Sequence, residues 1–279
     1  MTIDKDVMIT KAGADDGPGM FWRDLWMSVK NPEFWALSAW LDILVRTRRS
    51  KLGVIWLLMP SVIYVFVLGG FLRGTHAHRL NDFLAHIALG SMAFRSLISV
   101  VMGSANVFNG NSSFIFDGRV RLTDYLMKAL GRAFFDSMMY VPVVAIALAM
   151  YPGTNLSGLL LAPLTMALIY LNALWLSVLF SMAGARYPDF SELLGTISML
   201  MFLLTPIVWY PESMPQGSLR GTLMRFNPFY HYVEVFRAPI MGNPVEPASW
   251  WFLGISTVVG LAVASFVYRR YARFVPLWI

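Results

Sequence analysis

Long apolar runs without a charged residue divide this chain into blocks, and the Lys and Arg residues gather in alternate blocks. No other feature restricts the fold so strongly. Residues 54–72, 193–211 and 247–268 are each free of charge. Each is long enough for a helix to cross a hydrocarbon layer roughly 30 Å thick, which takes about 20 apolar residues. Residues 137–185 are also uncharged, but too long for one crossing. Their centre, Tyr151-Pro152-Gly153-Thr154-Asn155-Leu156-Ser157-Gly158, is a turn cluster, so a helical hairpin is predicted. A further run, 83–109, holds His86 and Arg95. The expectation is an all-α polytopic membrane protein with six crossings at about 53–72, 83–109, 130–151, 159–185, 193–211 and 248–268.

Charge then orients the crossings. Of the 22 Lys and Arg, sixteen fall on one side of this map, in the N-terminal block, the second and fourth connections and the C-terminal tail. Five (Arg73, Arg79, Arg220, Arg225 and Arg237) fall on the other, and Arg95 lies within a crossing. Positive segments stay in the cytoplasm, so both termini are expected there. The net charge of +6 follows from this layout and gives no reason to expect a nucleic acid partner.

Several chemistries lack their residues. There is no cysteine, hence no disulfide, thiolate metal site or thiol nucleophile. No phosphate-binding loop of the Gly-x-x-x-x-Gly-Lys type occurs, and no paired carboxylates sit inside a crossing. Energy must come from another subunit. His76-x-His78 occupies a short loop without a carboxylate cluster, and no metal site is expected. The first 20 residues are polar, so no cleavable signal peptide is expected.

The connections carry their own patterns. Residues 1–30 read as an N-terminal tail. From Asn31-Pro32 onward Phe34, Leu37, Leu41 and Leu44 recur at helical spacing opposite Ser38, Asp42, Arg46 and Arg49, flanked by Trp35 and Trp40. That predicts an amphipathic helix over 32–48 lying in the membrane interface. In 109–121, three large apolar residues expected to be exposed (Phe114, Ile115, Phe116) stand beside Arg119 and Arg121. They suit a helix docking in a partner's cleft, or a segment resting in the membrane interface. The connection 212–246 is rich in Pro, Gly and aromatics, with a helical stripe at Phe229, Tyr232, Val233 and Phe236. A helix dipping into the membrane fits it.

On the first crossing Trp56, Pro60, Tyr64 and Phe71 are spaced to share a face, as are Met199, Phe202, Pro206 and Trp209 on the fifth. Aromatic planes with few charges suit sugar rings; packed core or a lipid-facing belt would use the same pattern. Arg95 is suited either to an anionic headgroup or to pairing with another helix.

The sequence resembles the ABC-2-type transporter permeases. The resemblance runs over about residues 30–279 and rests on Arg46-Thr47-Arg48-Arg49-Ser50-Lys51-Leu52-Gly53-Val54-Ile55-Trp56, Arg186-Tyr187-Pro188-Asp189, Leu204-Thr205-Pro206-Ile207, Asn227-Pro228 and 236–242. Pro188 departs from the family pattern, which often has a second Arg there. The closing 273–279 looks like the polysaccharide-export branch. The resemblance implies a bacterial inner-membrane homodimer with two copies of a separate ATPase subunit that binds ATP and Mg. It implies a cargo linked to undecaprenyl or polyprenyl diphosphate, such as O-antigen. It also implies roles: Ser113, Phe114, Ile115, Phe116, Asp117, Arg119 and Arg121 in ATPase coupling; Trp35, Trp40, Arg46, Arg48 and Arg49 on a gate-side interface helix; re-entrant outer helices in 212–242; and Trp56, Tyr64, Phe71, Phe202 and Trp209 lining the channel. Capsular polysaccharide, teichoic acid or a small hydrophobic compound are alternative cargoes on the same fold. A membrane glycan polymerase or ligase would instead need Glu212, Glu234, Glu246 or His231 as its acid or base.

Because the chain has no cysteine, one introduced cysteine reports its own side. In intact spheroplasts a membrane-impermeant maleimide is expected to label His76→Cys and to leave Ser113→Cys unlabelled until the cells are opened. Labelling of Ser113→Cys in closed cells would reverse the topology.

Overall fold

The computed structural model describes residues 20–48, 51, 53, 55–72, 80–118, 120–214 and 217–279, and among these every regular element is helical. In chain order they are α1 (Met20–Lys30), α2 (Glu33–Arg48), α3 (Ile55–Leu72), α4 (Leu80–Ala105), α5 (Ser112–Phe116), α6 (Leu122–Ala149), α7 (Leu156–Arg186), α8 (Phe190–Leu204), α9 (Leu219–Phe226), α10 (Pro228–Ile240), α11 (Pro247–Tyr271) and α12 (Val275–Trp278). We call the end of the bundle bearing α1, α5 and α12 the base, and the end bearing α9 and α10 the top.

Five of these helices, α3, α4, α6, α7 and α11 with its continuation to Trp278, are long and apolar enough to cross a membrane. The fifth predicted crossing, 193–211, differs. Its helix α8 has 15 residues, a rise of about 22 Å, which is short of a ~30 Å layer. Pro206 ends it, because proline disfavours helical backbone in the residue before it and Thr205 turns extended (ψ 130°). The stretch 205–210 is non-helical, and backbone of that kind at membrane depth must be buried in protein. Thr205 and Ile207 are fully buried.

The core is α4. Some 83% of its apolar window is buried inside the protein, against 17% to 33% for the other long helices. It packs on α6, α7 and α10, and Ala85, Ala88, Gly90, Ser91, Ala93 and Ser96 let those helices close in. Hydroxyls tie the bundle internally: Ser137 Oγ lies 2.7 Å from Ser96 Oγ and 2.8 Å from Tyr170 Oη. Across α7, α10 and α11, Asn172 donates to Thr257 and accepts from Trp175, Tyr232 and Ser256. Bonds of this sort between membrane helices contribute about 0.6 to 2 kcal/mol each.

At the base, Met20–Lys30, within the segment read as a tail, forms a helix docked on α6 and α11. Its buried Ser28 hydroxyl meets Thr123 at 2.7 Å, Phe21 packs on Tyr268, and the Tyr268 hydroxyl donates to Asp24. Burial raises the Asp24 pKa, while the Tyr268 bond and neighbouring arginines pull it back down.

Helix α7 leaves no room at Gly184, where a Cβ would stand 1.8 Å from the Ala105 carbonyl oxygen of α4. The Asn109 amide donates to the Gly184 carbonyl at 3.1 Å across the same contact. Gly184→Leu is therefore expected to force the base of α4 and α7 apart at a cost of about 1–3 kcal/mol. Thermal unfolding in detergent should show it as a fall of several degrees; an unchanged midpoint would refute the close contact.

Candidate functional site

Two cavities bring together residues that are distant in sequence. The first, of about 570 Å³, is walled by α3, α4, α6 and α8 with the end of α2 at its rim. Tyr64 from α3 and Phe94 from α4 both contact Phe202 of α8, with ring centroids 6.1 and 5.6 Å apart. Arg95 enters between Tyr64 and Tyr140, its guanidinium carbon 5.8 and 5.9 Å from the two ring centres. Ser61, Ser91, Ser99 and Ser198 supply hydroxyls to the lining. Arg46 also lines this cavity, and its Nη1 donates to Asp136 at 3.3 Å.

The predicted channel residues divide accordingly. Tyr64 and Phe202 line this cavity, and Trp56 lines an adjoining groove that shares Pro60, Tyr64 and Arg95 with it. Phe71 does not join them and stands 81% exposed. Pro60 lies inside α3 and has no N–H for the helical ladder. Beyond it Ile63–Leu68 is wound as a π-helix, whose wider turns shift the register so that Phe71 leaves the shared face. Trp209 lies in the non-helical 205–210 stretch, its carbonyl 3.0 Å from His86 Nε2.

On α2 the face that meets α6 carries Trp35, Ala39, Asp42 and Arg46. Trp35 abuts Gly131, while Asp42 pairs with Lys128 and Arg46 with Asp136, both at 3.3 Å. The predicted separation of polar and apolar faces is not clean: Phe34, Trp35 and Ala39 pack on the protein, while Leu37, Trp40, Leu41 and Val45 are exposed, as are Arg46 and Arg48. Arg49 lies outside the described residues. Gly53 (φ 55°) makes the tight turn into α3, where its carbonyl accepts from Trp56 N. This gives a backbone reason for the Leu-Gly-x-x-Trp pattern.

At the base, the segment expected to couple is the short α5. Ser113, Phe114, Phe116 and Asp117 are exposed. Ile115 is not, contrary to expectation: it fills the base core with Val107, Phe108 and Tyr125, because a single helical turn cannot expose three consecutive residues. Arg121 is taken up at the start of α6, 3.9 Å from Asp124. Arg119 lies outside the described residues. Gly118 (φ 68°) closes the turn after α5.

The second cavity, of about 350 Å³, lies at the top and is lined by His86, Glu212, Glu234, Glu246, Arg225 and Arg237 among others. Arg237 is 3% exposed. It donates to the Pro206 carbonyl, lies 2.9 Å from His86 Nε2 and pairs with Glu234 at 3.3 Å. Close by, Asn227 Nδ2 donates to Thr205 Oγ1 at 2.8 Å while its Oδ1 caps Phe229 N at 3.0 Å. The Leu-Thr-Pro-Ile, Asn-Pro and Phe-Arg patterns thus meet in one structure, a convergence invisible in the chain order. Burial raises the Glu234 pKa against the opposing pull of Arg237. Three of the four possible acids and bases are occupied structurally: Glu234 pairs with Arg237, Glu246 with Arg225 at 2.7 Å, and His231 bonds Ser249 and the Arg225 carbonyl; Glu212 is exposed at the cavity. Burial lowers the His231 pKa. Among the described residues no three His, Asp or Glu gather as metal ligands; His76 and His78 lie outside them.

Removing one member of a buried ion pair leaves the other uncompensated, at about 3–5 kcal/mol. Arg237→Leu is expected to lower the unfolding midpoint accordingly, and Arg237→Lys to recover little, since a single ammonium cannot reach three partners. The double replacement with Glu234→Leu should be milder than Arg237→Leu alone. Equal midpoints for wild type and Arg237→Leu would refute the role.

Sequence comparison agrees with this arrangement. The profile of the ABC-2 type transporter family matches residues 33–241, from α2 to the end of α10. The capsule polysaccharide export inner-membrane protein CtrC of Neisseria meningitidis is 24% identical over 243 residues, covering 83% of this chain and 88% of the relative. The O-antigen export system permease protein RfbA of Klebsiella pneumoniae is 21% identical over 242 residues, covering 83% and 91%. With a family match across most of its length and five apolar helices able to span a bilayer, this chain is a membrane protein of the ABC-2 type transporter family.

Proposed function

We propose that this chain is the membrane subunit of an ATP-driven exporter that moves a polysaccharide, carried on a polyprenyl diphosphate, out of the bacterial cytoplasm. In this reading two copies form the pore above two copies of a separate ATPase subunit, which binds ATP and Mg, and both termini are cytoplasmic. The relatives named for capsule and O-antigen export support a polysaccharide as the cargo class, and we take an O-antigen-like glycan as its form.

The observation that carries this reading is the lining of the α3–α4–α6–α8 cavity. It sets aromatic planes (Tyr64, Phe94, Phe202) beside five serines (Ser61, Ser91, Ser99, Ser137, Ser198). Aromatic faces accept the C–H faces of sugars, and hydroxyls exchange hydrogen bonds with sugar hydroxyls without fixing one sequence of sugars. Ser91 and Ser198 donate to carbonyls of their own helices, which leaves their oxygens as acceptors toward the cavity.

Other features take their roles from this reading. The exposed Leu37, Trp40, Leu41 and Val45 of α2 suit burial in the cytoplasmic membrane interface, beside the gate-side Arg46 and Arg48. The exposed Phe114 and Phe116 of α5 suit a cleft in the ATPase. Helices α9 and α10 would be the re-entrant pair closing the outer end. Helix α8 with 205–210 would make the sixth crossing.

Deleting the gene is expected to trap lipid-linked glycan inside the cell, and normal surface glycan would refute the reading. Phe202→Ala should restore export only partly. The purified chain alone should show no ATPase activity, and ATP hydrolysis should appear only when the ATPase subunit is added.

A further inference from the structure

Arg95 is the unusual residue of the first cavity. It stands 10 residues from the end of α4 at Ala105, or about 15 Å along the axis, and so near mid-membrane. A cation at that depth is costly unless something compensates it. Among the described residues no carboxylate pairs with it. Its neighbours are two phenol rings, Tyr64 and Tyr140. Tyr140 is only 4% exposed, and the hydroxyls of both tyrosines are buried without a hydrogen-bond partner. Ser91 and Ser99 line the same cavity. A guanidinium without a counter-charge and two unpaired O–H donors share one need, a multivalent oxygen anion.

We infer that Arg95, Tyr64 and Tyr140 form a mid-membrane binding site for a diphosphate group in transit. The guanidinium matches phosphate oxygens in bidentate geometry, and the two phenols can donate to the remaining oxygens. Arg46 stands at the rim of the same cavity, bonded to Asp136, so the chain offers two successive cationic positions. The one at the rim is already neutralised, which favours transfer inward to the one that is not. An apolar cavity of about 430 Å³ lies on the other side of the α4–α8 contact, sharing Ile98 and Ser198 with the first, and gives an attached hydrocarbon chain a place beside the headgroup. This inference rests on the export reading, whose cargo it refines.

The test uses the full chain in detergent micelles, titrated separately with farnesyl diphosphate, inorganic pyrophosphate and farnesol. Farnesyl diphosphate is expected to bind, and Arg95→Gln to weaken it at least tenfold, roughly the loss of one charge-assisted pair. Tyr140→Phe removes one unpaired oxygen, so it should weaken binding severalfold while leaving the unfolding midpoint unchanged or higher. A merely structural tyrosine would lower the midpoint and leave the affinity unchanged. Pyrophosphate binding with the same sensitivity supports the anion site and assigns it to the free anion; tighter binding of the farnesyl compound assigns it to a lipid headgroup. Farnesol binding as tightly as its diphosphate, or Arg95→Gln leaving affinity intact, overturns the inference. The export reading fails by a separate result, normal surface glycan after gene deletion, which these titrations do not touch.

Discussion

The top of this structure depends on one buried cation. Arg237 reaches from α10 to the carbonyl of Pro206, to His86 on α4 and to Glu234 on its own helix. A helix that stops within apolar surroundings leaves carbonyls with no intrahelical donor, and each must be satisfied by protein. The guanidinium presents donors in several directions from one centre, so it can hold a non-helical strand of backbone against two helices at once. Gly90 makes this possible from the other side, since a Cβ there would approach Arg237 Nη1 to 3.3 Å.

Close approach is the second theme. Gly158 lies against the Pro239 carbonyl, Gly184 against the Ala105 carbonyl and Gly260 against the Trp175 indole, each where a Cβ would overlap its neighbour. Helices in lipid gain little from hiding apolar surface from one another, so tight backbone contact and a few shared hydroxyls must hold the bundle. The most buried helix is accordingly rich in alanine, serine and glycine, while the outer face of α7 is mostly leucine and that of α11 mixes Trp250, Trp251, Ile255, Val258, Val259, Val263 and Phe266.

Much of this was legible in the sequence because membrane crossing imposes long uncharged runs. The hairpin turn at 151–158, the helix over 32–48 and the all-helical class all followed from patterns local in the chain. What was missed depended on contacts between distant segments. The spacing of Trp56, Tyr64 and Phe71 assumed uniform winding, and the π-helical segment after Pro60 removed Phe71 from the set. The length of the fifth run was read as one helix, although the break at Pro206 is stabilised by Arg237, 31 residues away. Arg95 drew notice as a charge inside a crossing; its two tyrosines come from other helices, and no local pattern announces them. The helix Met20–Lys30 does carry a local apolar pattern (Phe21, Trp22, Leu25, Trp26, Val29), but its docking, with Phe21 in the base core and Ser28 on Thr123, depends on distant segments.

The fastening of α2 to α6 has a mechanical consequence. The two helices are joined through Trp35 against Gly131, Asp42 with Lys128 and Arg46 with Asp136, and α5 ends at Phe116, shortly before α6 begins at Leu122. Three attachment points spread along a helix resist both sliding and rotation, so the pair behaves as a single strut. A displacement applied at Phe114 would pass up α6 and carry Arg46 with it. If α5 is the segment that meets the ATPase, as we propose, a push there has a route through α6 to the rim of the cavity.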